Sequence, residues 1–145
     1  MRSITQEGLN LIKHFEGFSE TLYICPAGYP TIGYGHMVKN YEKFPEVITK
    51  EAAEKLLKQD LKIAEHAVLR LIAVPLSDMQ FNALVSFTFN LGAGALQRST
   101  LRLKVNREEH DEVPNQLQRW IWAGNRKLNG LIKRRKAESL MYSGY

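Results

Sequence analysis

The sequence predicts a mostly helical α+β fold with a small lobe containing an antiparallel sheet, a long connecting helix and a helical lobe. Three observations support this fold class. Residues 18–38 are rich in β-forming residues and turn signals, apolar residues then recur at helical spacing up to residue 71, and the later sequence shows further helical patterns. The length of 145 residues suits a single domain. We therefore place the sheet lobe at about residues 13–50, the connecting helix at about 50–72 and the helical lobe at about 73–145.

The sheet lobe is expected to follow an amino-terminal helix. Ser3 and Gln6 match a capping box, and the glycine after Glu16 marks the end of that helix. Residues 21–24 and 31–38 have the composition of strands and are separated by the turn sequence "CPAGYP". The sequence thus predicts one helix and a small antiparallel sheet in this lobe.

The connecting helix and the helices after it have recognisable ends. Thr49 is a suitable N-cap, and an apolar stripe continues from Ala53 to Leu71, shortly before Pro75. A cleft between two lobes is a usual location for a ligand site, and Glu16, at the junction of helix and sheet, is placed to face one. Further helices are predicted over about residues 77–91, 100–106, 114–123 and from Asn129 onward.

Composition narrows the class of protein. One cysteine cannot form an internal disulfide, which fits synthesis in a reducing cytoplasm. The amino terminus has no apolar run long enough for a signal peptide or a membrane span. We therefore expect a cytoplasmic protein without an export signal of its own.

Positive charge is concentrated at the carboxy-terminal end. The chain carries a formal charge of +5, and residues 113–145 hold seven Lys or Arg residues against Glu138 alone. Such a block suggests a polyanionic partner: nucleic acid, an anionic membrane surface or an acidic cell-wall polymer.

One short stretch, "FEGFSETLYICPAGYPTIGYGH", combines a carboxylate, a thiol and a hydroxyl at Glu16, Cys25 and Thr31. Each of these residues alone has an ordinary structural interpretation: a solvated helix end, a small buried apolar residue and a strand residue. Their joint spacing carries the functional signal.

That spacing resembles the Glu-x8-Asp/Cys-x5-Thr signature of the phage-type lysozymes, glycoside hydrolase family 24. The resemblance extends over nearly the whole chain in the same order. Four more stretches are similar to the family's hairpin, interlobe helix and carboxy-terminal lobe: "TIGYGH" at 31–36, "ITKEAAEKLLKQDL" at 48–61, "SFTFNLGAG" at 86–94 and "RWIWAGNRKLNGLIKRRKAE" at 119–138.

The resemblance implies a lysozyme-like two-lobed fold and an endolysin. Such a muramidase cuts the β-1,4 bond between N-acetylmuramic acid and N-acetylglucosamine in bacterial peptidoglycan, for lysis of the host cell by a phage. It requires no metal and no cofactor. Without a signal peptide, the enzyme is expected to stay in the host cytoplasm until a phage holin opens the inner membrane.

The same resemblance assigns catalytic roles. Glu16 would be the general acid that protonates the leaving-group oxygen, and Thr31 would help hold the attacking water. Cys25 takes a position where the family has either aspartate or cysteine. A thiol with a reference pKa of about 8.5 is mostly neutral at pH 7, so either the site lowers the pKa of Cys25 or Thr31 and backbone dipoles contribute more.

Other positions are assigned by the resemblance to substrate binding or to structure. Met37, Phe89 and Asn90 match residues that line the sugar cleft, although Phe89 is equally interpretable as a core aromatic. His36 and Asp60 match positions that can pair, and such a pair would tie sheet to helix, since an unpaired buried acid is costly.

Three alternatives remain open at the level of sequence. A lytic transglycosylase cuts the same bond with a single glutamate, although the resemblance over the whole chain argues against it. A nucleic-acid-binding module would explain the basic end but lacks a recognisable motif, and a membrane-active segment would leave residues 1–112 unexplained.

We therefore expect a monomer that acts on peptidoglycan and does not bind nucleic acid. The basic segment is expected to hold it on the anionic cell envelope. Most apolar residues of that segment should be core, whereas its cations, including Lys133, Arg134, Arg135 and Lys136, should lie outside.

Overall fold

The computed structural model describes residues 1–144 and forms two compact units: residues 13–62, and Met1–Ile12 together with the chain from Ile63 onward. Its mostly helical α+β composition confirms the predicted fold class. The prediction of a single domain stays a prediction.

The helices are α1 Gln6–Glu16, α2 Lys50–Leu71, α3 Asp78–Leu91, α4 Ala93–Arg98, α5 Thr100–Asn106, α6 Val113–Leu117 and α7 Asn129–Tyr142, with a short 3₁₀ helix at His110–Glu112. The strands are β1 Ser19–Ile24, β2 Pro30–Gly33, β3 His36–Met37, β4 Trp122–Ala123 and β5 Arg126–Lys127.

The unit of residues 13–62 contains a three-stranded antiparallel sheet in the order β1-β2-β3. The sheet packs on α2 at close range, because a Cβ atom added to Gly33 would lie 3.1 Å from the Cβ of Ala53. Ile32 and Leu57 are buried. The Thr49 hydroxyl accepts a hydrogen bond from the Ala52 N–H at 3.1 Å, which confirms the predicted cap of this helix.

The other unit is an assembly of helices with α3 at its centre. Phe81, Leu84 and Phe87 of α3 are buried, and this helix packs on α7 and α4. Ser77 and Gln80 form a capping box at its start, as the sequence pattern S-x-x-Q requires.

The residues before α1 are fastened to this same unit. The Ile4 N–H donates to Glu65 Oε2 at 2.8 Å, and the Thr5 N–H donates to Asn82 Oδ1 at 3.0 Å. The predicted capping box of Ser3 and Gln6 is wrong, because α1 begins at Gln6, whose side chain donates to Asn10. The orphan N–H groups at this end are therefore satisfied partly by distant side chains.

The carboxy-terminal region differs from the prediction in its secondary structure. The helix predicted over residues 114–123 is only the short α6, and a hairpin of β4 and β5 follows it. Trp122 pairs with Lys127 and Ala123 with Arg126, which leaves Gly124 and one more residue as the loop. Gly124 has a φ of 62°, the conformation that a two-residue hairpin with glycine in the first loop position needs.

The helix predicted over about residues 77–91 is confirmed as α3, and Gly92 ends it with a φ of 96°. The chain then turns directly into α4, which the sequence pattern did not predict. Helix α4 is only six residues long, so it carries too short a pattern to be detected by periodicity.

The expected exposure of the basic segment is wrong at two positions. Arg134 and Arg135 of α7 are 4% and 0% exposed, whereas Lys133 and Lys136 are exposed. Glu138, three residues after Arg135 on the same helix face, accepts from its Nε at 2.7 Å. A buried acid on the same face allows arginine to be buried with it.

Among residues 1–144, no helix combines the length and the apolar character that crossing a bilayer requires.

Candidate active site

Glu16 is the last residue of α1, and the chain turns there into the sheet. Gly17 follows with a φ of 73°, a left-handed conformation that ends helices at little cost only in glycine. The Glu16 carboxylate lies beside Gly35: a Cβ atom added to Gly35 would be 3.0 Å from Glu16 Oε1. Gly35 also has a positive φ, 78°. A residue with a side chain would be strained in this backbone conformation and would crowd the carboxylate.

A surface pocket of about 320 Å³ surrounds this carboxylate. It is lined by Glu16, Gly17, Phe18, Ser19 and Tyr23. Phe18 and Tyr23 thus place two aromatic residues beside this acid.

A larger pocket in the same unit, of about 680 Å³, holds none of the predicted catalytic residues. It lies along the other part of the sheet and includes Leu22, Ile32 and Phe44. Pocket size alone therefore does not select the site, because the chemistry-bearing side chains lie in the smaller pocket and along the neighbouring strands.

Cys25 lies in the tight turn that joins β1 to β2. Its N–H donates to the Tyr29 carbonyl at 2.9 Å, and its own carbonyl accepts from Gly28 at 2.8 Å. The Tyr29 N–H lowers the pKa of the Cys25 thiol; partial burial opposes this, and the Thr31 hydroxyl and the N–H groups of Ala27 and Gly28 add to the lowering. The surroundings thus favour the thiolate, as a cluster of backbone N–H groups does for any anion.

Thr31 and Met37 are neighbours in the sheet. They are paired in the β2–β3 ladder, and Thr31 is also paired with Tyr23 of β1. The Thr31 hydroxyl lies 2.9 Å from the Tyr29 carbonyl, to which it donates a hydrogen bond, and its oxygen carries two lone pairs that can accept. Thr31 is buried, which suits a residue that positions the attacking water. Met37 is 57% exposed, which suits a residue that contacts the substrate.

Phe89 and Asn90 belong to the helical unit. Both lie near the carboxy-terminal end of α3 and are partly exposed, in contrast to the fully buried residues 81–88 before them. Phe89 is therefore not a fully buried core aromatic. The structure thus groups Glu16, Cys25, Thr31 and Met37 in one unit, and it places Phe89 and Asn90 in the other.

His36 lies between two carboxylates. Its Nδ1 is 2.8 Å from Asp60 Oδ2, as the resemblance implied, and its Nε2 is 3.0 Å from Glu42 Oε1. Because a carboxylate only accepts, both contacts are satisfied together when each ring nitrogen carries a proton. The buried His36 therefore fastens β3 to α2 and to the loop that contains Glu42.

Sequence reasoning missed a second polar cluster, around Arg135. Arg135 Nη2 donates to Asn90 Oδ1 at 2.7 Å and to Glu138 Oε2 at 3.1 Å, and the Ser86 hydroxyl donates to Glu138 Oε2 at 2.6 Å. A usable signal was present: Glu138 is the single acid in residues 113–145 and stands one helical turn after two arginines. Its isolation in a basic block indicated a structural partner.

Comparison with known proteins gives a consistent result. The family model described as phage lysozyme matches residues 13–138. The endolysin of Bacillus phage B103 is 39% identical over 142 residues, which are 97% of this chain but 54% of that protein, so this chain spans about half of its length. The endolysin of Salmonella phage P22 is 34% identical over 146 residues, with 99% of this chain and 100% of that protein covered.

The solved structures agree with the sequence relatives. A P22 lysozyme variant superimposes with a TM-score of 0.90 at 31% identity over 99% of this chain and 100% of that chain. The muramidase domain of SpmX from Asticaccaulis excentricus does so with a TM-score of 0.87 at 34% identity, with 98% of each chain covered. On these grounds the chain belongs to the phage lysozyme family and is a glycoside hydrolase of the lysozyme type.

Proposed function

We propose that Glu16, Cys25 and Thr31 form the catalytic centre of an endolysin that hydrolyses the β-1,4 bond between N-acetylmuramic acid and N-acetylglucosamine in bacterial peptidoglycan. Muramidase activity as such follows from family membership and from the endolysin relatives. The observation that carries the assignment of the centre is the Glu16 carboxylate beside Gly35, in a surface pocket that Phe18 and Tyr23 also line.

The first half of the reaction is proton donation. Glu16 gives its proton to the glycosidic oxygen as the bond to the anomeric carbon breaks, and positive charge develops on the sugar ring. Gly35 leaves the approach to the carboxylate open, because any side chain there would press on Glu16 Oε1.

The second half is attack by water on the anomeric carbon. A thiolate at Cys25, favoured by the N–H groups of its turn, accepts the proton that the attacking water loses. The Thr31 hydroxyl oxygen offers a lone pair that accepts a hydrogen bond from this water and holds it in place. The water oxygen ends on the anomeric carbon, so the new chain end is a reducing sugar.

The central test replaces the proton donor. Glu16→Gln retains the shape of the side chain and removes its acidic proton, so it is expected to fold normally and to lose nearly all hydrolysis of purified murein. Glu20→Gln, an exposed position on β1, is the matched control and should remain active. Turbidity clearing by Glu16→Gln at close to the parent rate would show the assignment of Glu16 to be wrong.

Cys25 is tested by three forms of the enzyme. Cys25→Asp supplies an anion at the same place and should retain measurable activity, whereas Cys25→Ala should lose much of it. A thiol-blocking reagent should inhibit the parent and spare Cys25→Asp. Full activity in Cys25→Ala would leave the catalytic centre with Glu16 and Thr31 only.

Product analysis separates hydrolysis from the lytic transglycosylase reaction. A hydrolase leaves a reducing end, while a transglycosylase leaves a 1,6-anhydro end. Mass spectrometry of the soluble fragments is expected to show the reducing product, and a predominance of anhydro ends would overturn the role given to water.

For the partner surface we propose a smaller cationic face than the sequence suggested. Burial removes Arg134 and Arg135 from it. The exposed cations of residues 113–144 are Arg119, Arg126, Lys127, Lys133 and Lys136. The hairpin also exposes Trp122, and Lys127 Nζ lies 5.2 Å from the centre of that ring. These groups support attraction to the anionic cell envelope, worth about 1 kcal/mol per charge at low salt.

The cationic face is tested by quadruple replacement of Arg126, Lys127, Lys133 and Lys136 with glutamine. Binding to intact cells at low salt should weaken, while hydrolysis of small soluble substrates should be nearly unchanged. Unchanged cell binding would show that these residues are only solvated and do not bind the envelope.

A monomeric state, the lack of nucleic-acid binding and release by a holin stay predictions.

A further inference from the structure

Asn90 occupies the penultimate position of α3 and is partly exposed. Its Oδ1 accepts a hydrogen bond from Arg135 Nη2 at 2.7 Å. A guanidinium has donors and no acceptor, so this contact decides which way the amide is turned. The oxygen faces the buried arginine, and the NH₂ group faces away from it.

The NH₂ group of Asn90 has no other protein partner in the described part of the chain. Among residues 1–144 no acceptor makes a hydrogen bond with Asn90 Nδ2. The hydrogen bond to Oδ1 fixes the orientation of this partly exposed amide, and its NH₂ group is available to donate. It is suited to an acceptor oxygen that comes from outside the protein.

Arg135 is itself held from several sides, so it can act as a rigid support. Its Nε and Nη2 donate to the two oxygens of Glu138 at 2.7 and 3.1 Å. Its guanidinium carbon lies 5.2 Å from the centre of the Phe87 ring, and its Nη1 donates to the Trp120 carbonyl at 3.4 Å. Two parallel hydrogen bonds to one carboxylate leave a guanidinium little rotational freedom.

We propose that Arg135 is a positioning residue for substrate binding: it turns the Asn90 amide so that Nδ2 donates a hydrogen bond to a carbonyl oxygen of the peptidoglycan strand. The acceptor is the carbonyl of an N-acetyl group or of the attached peptide. This inference rests on the proposed function and on the family resemblance that assigns Asn90 to the sugar cleft. It goes further in giving the direction of the contact and the buried residue that sets it.

The first test replaces the donor and leaves the support in place. Asn90→Asp has nearly the same shape and still accepts from Arg135, but it has no NH₂ group. With soluble murein fragments, KM should rise about fivefold to tenfold, the loss of one hydrogen bond, while kcat changes little. An unchanged KM would overturn the proposal.

The second test addresses Arg135. Arg135→Lys keeps the charge but cannot hold Glu138 and Asn90 with one planar group, so KM should rise as in Asn90→Ala. The double variant Arg135→Lys/Asn90→Ala should have the KM of Asn90→Ala alone, because both changes remove the same contact. Additive effects on KM would show that Arg135 does not act through Asn90.

A measurement on the parent protein covers the case in which Arg135→Lys fails to fold. The order parameter of the Asn90 side-chain amide from ¹⁵N relaxation should approach the value of about 0.85 typical of rigid backbone, and a value below about 0.6 would refute positioning.

The source of the acceptor is assigned with glycan chains stripped of their peptides. A KM penalty of Asn90→Asp that disappears on these chains identifies the peptide carbonyl, and a penalty that persists identifies the sugar. If the proposed function were wrong, the pattern would be different: Glu16→Gln would remain active, irrespective of the KM values of the Asn90 variants.

Discussion

Two clusters each place a carboxylate at short distance from a basic side chain. The His36 cluster consists of His36, Asp60 and Glu42, and the Arg135 cluster consists of Arg135, Glu138 and Ser86. The shortest distances between the acid and the basic side chain are 2.8 Å in the first and 2.7 Å in the second. Their solvation differs, because the Asp60 and Glu42 side chains are 24% and 18% exposed, while Arg135 and Glu138 are fully buried.

That difference in burial reverses the effect on the acid. In the His36 cluster, partial burial raises the pKa of Glu42, but the Lys39 N–H and His36 outweigh it, so the pKa is lowered. In the Arg135 cluster, burial raises the pKa of Glu138 despite the opposing Arg135 and Ser86. The pKa values of two carboxylates that each contact a basic side chain therefore shift in opposite directions, and desolvation decides between them.

The largest effect should come from removing the buried acid. Glu138→Ala leaves Arg135 charged and without its carboxylate, so the free energy of unfolding is expected to fall by about 3–5 kcal/mol in urea denaturation. Glu112→Ala is the matched control, since Glu112 pairs with Lys104 but is 53% exposed, and it should cost less than about 1 kcal/mol. Equal losses in the two variants would show that burial does not distinguish these pairs.

An intermediate effect is expected at the partly exposed pair. Asp60→Asn retains an acceptor for His36 Nδ1 and removes its charge, which should cost about 2 kcal/mol of unfolding free energy. Asp78→Asn serves as the comparison, because Asp78 pairs with Arg2 at 66% exposure and should change stability by less than about 1 kcal/mol. A larger loss in Asp60→Asn than in Glu138→Ala would reverse the order of the two clusters.

The smallest effect is in the pH dependence of stability. A lowered pKa means that Glu42 stabilises the fold fully above its unfolded pKa of about 4.3 and that this contribution is lost as pH falls through the folded pKa. The raised pKa of Glu138 acts in the opposite sense, since the folded state then takes up the proton first.

Glu42→Gln should therefore flatten the loss of stability between pH 6 and pH 3, measured as urea midpoints. Glu46→Gln, at an exposed position nearby, should keep the parent's slope. An unchanged slope in Glu42→Gln would mean that Glu42 does not contribute to acid unfolding.

The two clusters also differ in what the sequence could predict. The pairing of His36 with Asp60 was predicted through the family resemblance, and the long helix that carries Asp60 has a clear N-cap at Thr49. The burial of Arg134 and Arg135 was not, because charged residues on a helix are ordinarily solvated and periodicity does not report which polar residues share a buried face.

For the candidate site, residue spacing predicts that Glu16, Cys25 and Thr31 act together, and this assignment stays a prediction. The turn that lowers the pKa of Cys25 depends on backbone N–H directions that residue spacing does not specify. The support of Asn90 by Arg135 joins residues 45 positions apart. Contacts of this range depend on tertiary packing of α3 on α7, which local patterns do not determine.

The fastening of residues 1–5 has a consequence for synthesis on the ribosome. Ile4 and Thr5 leave the ribosome early, but their acceptors on Glu65 and Asn82 follow 61 and 77 residues later. At about 5–20 residues per second, this is a delay of roughly 3–15 s. During that interval the apolar side chains of Leu9 and Ile12, buried in the finished protein, remain open to chaperones or to aggregation. Residues 13–62 are complete before Asn82 is added and can fold first.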